Sequence, residues 1–93
     1  MHKKSMEMTW DPAKRARNTE KHGCDFAIIA EFDWDTALSR VDTRVEYGET
    51  RYVSIGTIGE RHYVAVWTER DGACRLISLR KANKREVNTY AKT

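Results

Sequence analysis

The chain has 93 residues, and a length of this size is expected to hold one small domain and not a multidomain enzyme. Hydrophobic residues make up 40% and charged residues 33% of the chain, with a single proline, a balance that is typical of a folded domain and not of a disordered one. Two cysteines fifty positions apart exclude a dense disulfide framework, and no apolar run approaches the roughly 20 residues of a membrane-spanning helix. A reducing cytoplasm is the expected compartment.

Charge is divided unevenly along the chain. The formal net charge is +3, but residues 1–23, 24–50 and 51–93 carry balances of +3, −5 and +5. On a short chain this layout can place a basic and an acidic surface on one domain, as in proteins that bind a polyanion on one side. Ordinary solvated surfaces are the alternative interpretation, and charge alone does not separate the two.

The N-terminal part of the chain predicts an extension followed by a short strand. Residues 1–7 are expected to be a ragged extension of a single domain over residues 8–93. Met6, Met8 and Trp10 alternate with polar residues, which is the period of a half-buried strand.

The next segment predicts a helix over residues 12–22. Asp11 can cap it, Pro12 suits its first position, and Gly23 provides a C-terminal stop. Its few apolar residues, which are expected to face inward, are Ala13 and Ala16.

A second, shorter helix is predicted over residues 26–32, where Asp25 can act as the cap and the apolar side chains form one stripe. The pattern weakens from residue 33 to residue 48. This segment is expected to be a loop with one brief strand at residues 37–41.

After Gly48 the period becomes two, and β-branched and aromatic residues dominate three segments, at 52–55, 63–68 and 74–79. Turn residues separate these segments, so they predict an antiparallel meander. Asn83 can cap a last helix. The fold class is therefore α+β, with a small antiparallel sheet, helices expected to cover one of its faces, and the other face left for a ligand or a partner.

The spacing of the cysteines and histidines offers no metal site, since neither Cys-x-x-Cys nor His-x₃₋₅-His occurs. No glycine-rich phosphate loop is present either. We therefore expect neither a metal nor a cofactor.

The remaining chemistry lies in cations interleaved with aromatic residues. Guanidinium groups suit phosphates and aromatic rings suit unstacked bases, so the mixture favours single-stranded RNA over a duplex. Sheet core is the alternative interpretation of Trp67 and Tyr63, and helix capping is that of His22. The residues of this set are Lys14, Lys21, His22, Arg51, Arg75, Arg80, Lys81, Lys84 and Arg85, with Tyr52, Tyr63, Trp67 and Tyr90.

A ribonuclease that works without a metal needs a base for the ribose 2′-hydroxyl, cations for the phosphorane and an acid for the leaving oxygen. Such groups are present. Protons can be transferred by His22, Glu49, Glu69 or Tyr90, and charge can be held by Arg51, Arg75 and Arg80.

Two motifs then resemble the BrnT toxins. The first is Trp-Asp-Pro-x-Lys-x-x-x-Asn-x-x-Lys-His-Gly at residues 10–23, and the second is Arg-Leu-Ile-Ser-x-Arg-x-Ala at residues 75–82. Phe26, Arg51, Gly56, Glu86 and Tyr90 add to the resemblance, which runs from about residue 8 to residue 90. The sequence departs from the family at Cys24, where an aliphatic residue is usual, and at Leu79, where a small one is usual.

The resemblance implies a RelE-like fold and a type II toxin that halts growth by cutting RNA. It also implies a cognate BrnA-like antitoxin that binds DNA and neutralises the toxin, with toxin dimers inside a toxin–antitoxin heterotetramer. Operator DNA would be contacted only through the antitoxin.

On this basis we expect Arg51, Arg75 and Arg80 to hold the phosphate, with His22 or Glu49 as the base. Tyr90 is expected to stack or to donate a proton. Further RNA contacts are expected from Lys14, Lys21, Trp67, Lys84 and Arg85, whereas Asp11, Asn18 and Gly23 are expected to be structural.

Two other functions remain open at this point. One is a non-catalytic RNA- or protein-binding module with the same fold, because the sequence shows no clear base and Leu79, which either crowds a cleft or simply packs, departs from the family pattern. The other is a DNA-binding repressor, which is weaker because no helix-turn-helix spacing occurs.

Overall fold

The computed structural model describes residues 7–43 and 48–92. Of the predicted extension at residues 1–7, only Glu7 lies among them, and residues 44–47 of the predicted loop lie outside them. The elements are β1 (Met8–Thr9), α1 (Pro12–His22), a 3₁₀ helix (Phe26–Glu31), β2 (Leu38–Val41), β3 (Arg51–Ile58), β4 (Arg61–Arg70), β5 (Ala73–Lys81) and α2 (Lys84–Ala91).

The strands in the described residues form one mixed sheet in the order β1-β5-β4-β3-β2. The predicted meander is confirmed, since β3, β4 and β5 pair antiparallel, as do β2 and β3. β1 pairs parallel with β5, so the expectation of a purely antiparallel sheet is wrong. A parallel pair needs a long crossover, and the chain between β1 and β5 provides it. Alternation predicts that a strand exists, but it does not specify the partner or the direction.

α1 begins and ends where its caps predict. The Asp11 carboxylate accepts a hydrogen bond from the Ala13 N–H at 2.9 Å, and Gly23 follows the helix with φ of 69°. The prediction that Ala13 and Ala16 face inward is wrong, because both are exposed. The one buried residue of α1 is polar, namely Asn18.

Asn18 attaches α1 to the edge of the sheet. Its amide nitrogen donates to the Leu79 carbonyl at 2.8 Å and to the Cys24 carbonyl at 2.9 Å, and its amide oxygen accepts from the Leu79 N–H at 3.1 Å. β1 pairs with β5 only at Cys74 and Arg75. The Asn18 amide therefore takes the place of a neighbouring strand at Leu79, where both backbone groups would otherwise lack a partner.

The main core lies on one face of the sheet, called here the core face. Cys24 and three apolar residues of the next segment pack there against Ala65, Leu76 and Leu79. The segment predicted as a second helix lies here but is a 3₁₀ helix, which is the geometry common in short helical pieces. Leu79 is fully buried in this core and does not crowd a cleft.

The opposite face, called here the open face, is partly covered by α2. Asn83 caps α2 as predicted, in a capping box with Glu86. Tyr90 packs against the smaller apolar cluster of the open face, which includes Val53 and Val64. The expectation that the helices cover one face of the sheet is therefore wrong. The apolar residues of the open face must also be buried from water, and α2 buries only part of them.

Gly56 allows the 3₁₀ helix to approach the sheet. A Cβ atom built on Gly56 would lie 2.6 Å from Cζ of Phe32, whose side chain is buried in the core. No side chain fits between β3 and this ring, so the glycine is required by a close approach.

We expect Asn18→Ala to lower the free energy of unfolding by about 1–3 kcal/mol, because it leaves two buried backbone groups of Leu79 without partners. Urea unfolding followed by circular dichroism measures the change. Asn88→Ala on the exposed surface of α2 is the matched control and should change stability by less than about 0.5 kcal/mol. Equal effects of the two substitutions would contradict the role given to Asn18.

We expect Gly56→Ala to destabilise the fold by about 1–3 kcal/mol through overpacking against Phe32. The same substitution in a Phe32→Leu background should cost less, because the ring that meets the new methyl group is gone. A double-mutant cycle of unfolding free energies tests this coupling. Additive effects would show that the contact does not constrain position 56.

Candidate active site

A recess of about 340 Å³ lies on the open face beside α2. Its walls come from the end of α1 and from β2, β3, β5 and α2, and its floor is made of apolar strand residues that include Val53 and Val64. Basic side chains outnumber acidic ones in its lining. The basic residues are Lys21, His22, Arg40, Arg51 and Arg80, and the acidic ones are Asp42 and Glu86.

The sheet register explains why the predicted arginines share one face. Arg51 lies opposite Thr68, Thr68 lies opposite Arg75, and Val64 lies opposite Arg80. Residues directly opposite each other project to the same side of a sheet. The three arginines therefore belong to the open face, and of these Arg51 and Arg80 line the recess whereas Arg75 lies beyond its lining.

The guanidinium of Arg80 is held by two hydrogen bonds to one carboxylate. Its Nη1 and Nη2 donate to the two oxygens of Glu86 at 2.8 and 2.7 Å. The Glu86 carboxylate also accepts from the Asn83 N–H at 2.8 Å. These bonds, chiefly that from Arg80, lower the pKa of Glu86, so the pair is ionised at neutral pH.

His22 ends α1 at the wall of the recess, beside Lys21. The pKa of His22 is lowered by partial burial and by the positive charges of Lys21 and Arg80. All three effects act against the imidazolium, so the ring is predominantly neutral at pH 7. A neutral imidazole among cations can accept a proton.

A second depression of about 300 Å³ adjoins the recess, since Lys21, His22, Ile77 and Ser78 line both. Lys14 lies in this second depression. The structure thus brings four of the predicted residues of α1 and β5 to one continuous surface, Lys14, Lys21, His22 and Arg80.

Glu49 is held outside the recess lining by two arginines. Its carboxylate accepts from Arg70 Nη2 at 2.6 Å and from Arg51 Nε at 3.3 Å. The hydrogen bond from Arg70 is the main reason why the pKa of Glu49 is lowered. At neutral pH the carboxylate is ionised and has little affinity for a proton. Its link to the recess is the hydrogen bond from Arg51, which is one of the lining residues.

Other predicted residues do not line the recess, although Tyr90 packs on the cluster whose Val53 and Val64 form its floor. Tyr90 packs on the apolar cluster of the open face, where its ring is 5.0 Å from that of His62 and its hydroxyl donates to Thr36 at 3.2 Å. Trp67 lies on the core face of the sheet. Exposed positions on α2 are occupied by Lys84 and Arg85.

Three charged residues of the recess were not predicted as site residues, namely Arg40, Asp42 and Glu86. Arg40 lies opposite Val53, so the pairing of β2 with β3 brings it to the open face. Asp42 is 5% exposed and its N–H donates to the Arg51 carbonyl at 2.8 Å. Only the alternation within β2 signals Arg40, and no sequence pattern signals the burial of Asp42.

Residues 7–43 and 48–92 lack two kinds of feature. No cluster of three or more His, Cys, Asp and Glu side chains suited to a metal ion occurs there. No helix in the same residues has the length and apolar character needed to cross a membrane.

Comparison with known proteins identifies the family of the chain. No curated protein sequence matches the chain. The family model described as "Ribonuclease toxin, BrnT, of type II toxin-antitoxin system" matches residues 10–86, which include α1, the sheet from β2 to β5 and the start of α2. The resemblance found in the two sequence motifs is confirmed, and the chain belongs to the BrnT family of ribonuclease toxins.

Proposed function

We propose that this toxin is an endoribonuclease that cleaves RNA in the recess of the open face without a metal ion. The observation that carries the proposal is the position of His22 at the wall of a recess whose lining also holds Lys21, Arg51 and Arg80, which disfavours the charged form of the imidazole. The cations can neutralise the negative charge of a phosphodiester, and the base can take the proton that must be removed for its cleavage.

Binding of the backbone phosphate is assigned to the arginines. Arg80 presents a fork that matches two phosphate oxygens, and Arg51 approaches from β3 on the other side of the recess. Lys14 and Arg75 lie on surfaces next to the recess and are suited to the neighbouring phosphates. Single-stranded RNA is the proposed substrate, because its unstacked nucleotides are free to enter a recess lined by cations.

The base is His22. Its imidazole takes the proton of a ribose 2′-hydroxyl, the 2′ oxygen forms a bond to phosphorus, and the bond from phosphorus to the 5′ oxygen breaks. The products are a 2′,3′-cyclic phosphate and a 5′-hydroxyl, with no water consumed in this step. Lys21 is the acid for the leaving oxygen, because a guanidinium does not give up its proton at these pH values.

The cations also stabilise the transition state. The phosphorane carries more negative charge on its oxygens than the phosphodiester does, so fixed positive groups stabilise it more than they stabilise the substrate. Glu86 holds Arg80 in place but also offsets part of its charge. A phosphate therefore has to share or replace the Glu86 contact when it binds.

The burial of Leu79 weakens the alternative of a binding module that has lost its chemistry. The side chain that departs from the family pattern packs in the core, and the recess is lined at this strand by Ile77, Ser78 and Arg80. The departure therefore lies outside the lining of the recess.

The family implies an antitoxin partner. We further infer that this antitoxin binds DNA, that two toxins and two antitoxins form the complex, and that the toxin acts in the cytoplasm on cellular RNA. Light scattering of the co-expressed complex tests the 2:2 stoichiometry, and a 1:1 mass would overturn it.

We expect induction of the toxin to stop growth, and the purified protein to cut single-stranded RNA in the presence of EDTA. His22→Gln should lower the cleavage rate by about 10²–10⁴-fold, which is the usual contribution of general base catalysis. Gel analysis of a labelled RNA measures cleavage, and fluorescence anisotropy measures binding, which should change by only a few-fold in His22→Gln.

Arg61→Gln is the matched control for Arg80→Gln, since Arg61 is exposed at the start of β4 and lies outside the recess lining. Arg80→Gln should weaken both binding and cleavage, and Arg61→Gln neither. Loss of cleavage on addition of EDTA would exclude the metal-free mechanism. RNA binding without cleavage by the native protein would favour the binding module.

We expect Lys21→Gln to raise the pKa of His22, because it removes one of the charges that disfavour the imidazolium. A proton NMR titration of the imidazole measures this pKa. Lys92→Gln, at an exposed position just after α2, is the control and should leave the pKa unchanged. No change in Lys21→Gln would show that Lys21 does not act on His22.

A further inference from the structure

A second and larger concavity lies on the core face, on the other side of the sheet from the recess. It is an open groove of about 890 Å³ whose aromatic residues are Trp34, Tyr52 and Trp67. Its acidic residues are Glu7 and Glu69. The proposed cleavage mechanism makes no use of this groove, because Glu69, considered above for proton transfer, lies on the opposite face of the sheet from His22.

The aromatic rings of the groove are fixed before any ligand binds. Trp67 stacks on Tyr52 with centroids 4.7 Å apart, and its edge meets Trp34 at 5.8 Å. The indole N–H of Trp67 donates to Ser54 Oγ at 2.9 Å, and this hydroxyl is 2.7 Å from Ser39 Oγ. Rings held in this way present a surface that loses little conformational entropy on binding.

The charge of the groove is opposite to that of the recess. Among residues 7–43 and 48–92, its lining contains two glutamates and no lysine or arginine, whereas that of the recess contains one lysine and three arginines. A polyanion such as RNA is repelled by the carboxylates. A lysine or arginine side chain is attracted both by the carboxylates and by the faces of the aromatic rings.

We propose that the groove binds a segment of the cognate antitoxin that carries an apolar side chain next to lysine or arginine. The apolar side chain would contact Trp34 and Trp67, and the cation would lie beside Glu69. This proposal depends on the antitoxin partner that the family implies, and not on which residues cleave RNA. The antitoxin would then be attached to the face of the sheet opposite the catalytic recess.

The test is a double variant, called here the rim variant, in which the charge of both acidic residues of the groove is reversed: Glu7→Lys with Glu69→Lys. Both residues are exposed, so the fold is expected to tolerate the change. The affinity for the purified antitoxin, measured by calorimetry, should fall at least about ten-fold, equivalent to about 1.4 kcal/mol. RNA cleavage by the free toxin should stay within about two-fold, which also shows that the variant is folded.

The matched control is Glu31→Lys with Glu60→Lys, which changes the net charge by the same amount at exposed positions outside both linings. It should leave the antitoxin affinity unchanged. Tyr52→Ser, which removes the ring stacked on Trp67, should also weaken the antitoxin complex.

Three outcomes would overturn the proposal. One is native antitoxin affinity in the rim variant, and another is an equal loss in the control. The third is a Tyr52→Ser variant that binds RNA more weakly but the antitoxin normally, which would assign the rings to RNA bases. If the native toxin cleaves no RNA but the rim variant loses the antitoxin, the proposed mechanism fails and the docking site stands.

Discussion

The attachment of α1 to the free edge of β5 through Asn18 is the constraint on which the site depends. Asn18, Lys21 and His22 are spaced by three and four residues, so they lie on one side of the helix. Once the Asn18 amide is bound to Leu79, the same side of α1 is turned to β5, and Lys21 and His22 reach the wall of the recess. The Asn-x-x-Lys-His motif therefore combines the anchor and the chemistry.

Local signals in the sequence predicted the elements and the antiparallel meander of β3 to β5 correctly, but not the rest of the assembly. Asp11 and Gly23 act within a few residues, so the bounds of α1 were correct, and alternation located the long strands. The parallel pairing of β1 and the position of α2 on the open face depend on contacts between distant segments, which no local pattern records. In the site, His22 and Arg80 could be found from the motifs, whereas the burial of Asp42 could not.

Glu86 connects the start of α2 with the recess. Its carboxylate completes the capping box with Asn83 and holds the guanidinium of Arg80 at the same time. A carboxylate beside Arg80, the arginine to which we assign phosphate binding, lowers its attraction for RNA. The ion pair nevertheless removes the freedom of a long side chain, so less entropy is lost when Arg80 meets a phosphate. Since one carboxylate does both, the position of α2 and the geometry of Arg80 are coupled.

The charge balances of the three sequence segments do not map onto the surfaces of the fold. The recess draws Lys21 from the first segment, Arg40 from the acidic middle segment and Arg80 from the last. What separates the charges is the alternation of strand residues, since Arg51 projects to the recess and the next residue, Tyr52, to the aromatic groove. A shift of one residue in the register of β3 would exchange Arg51 and Tyr52 between the two surfaces. The pairing of β3 with β4 therefore bears on both the proposed site for RNA and the proposed docking face.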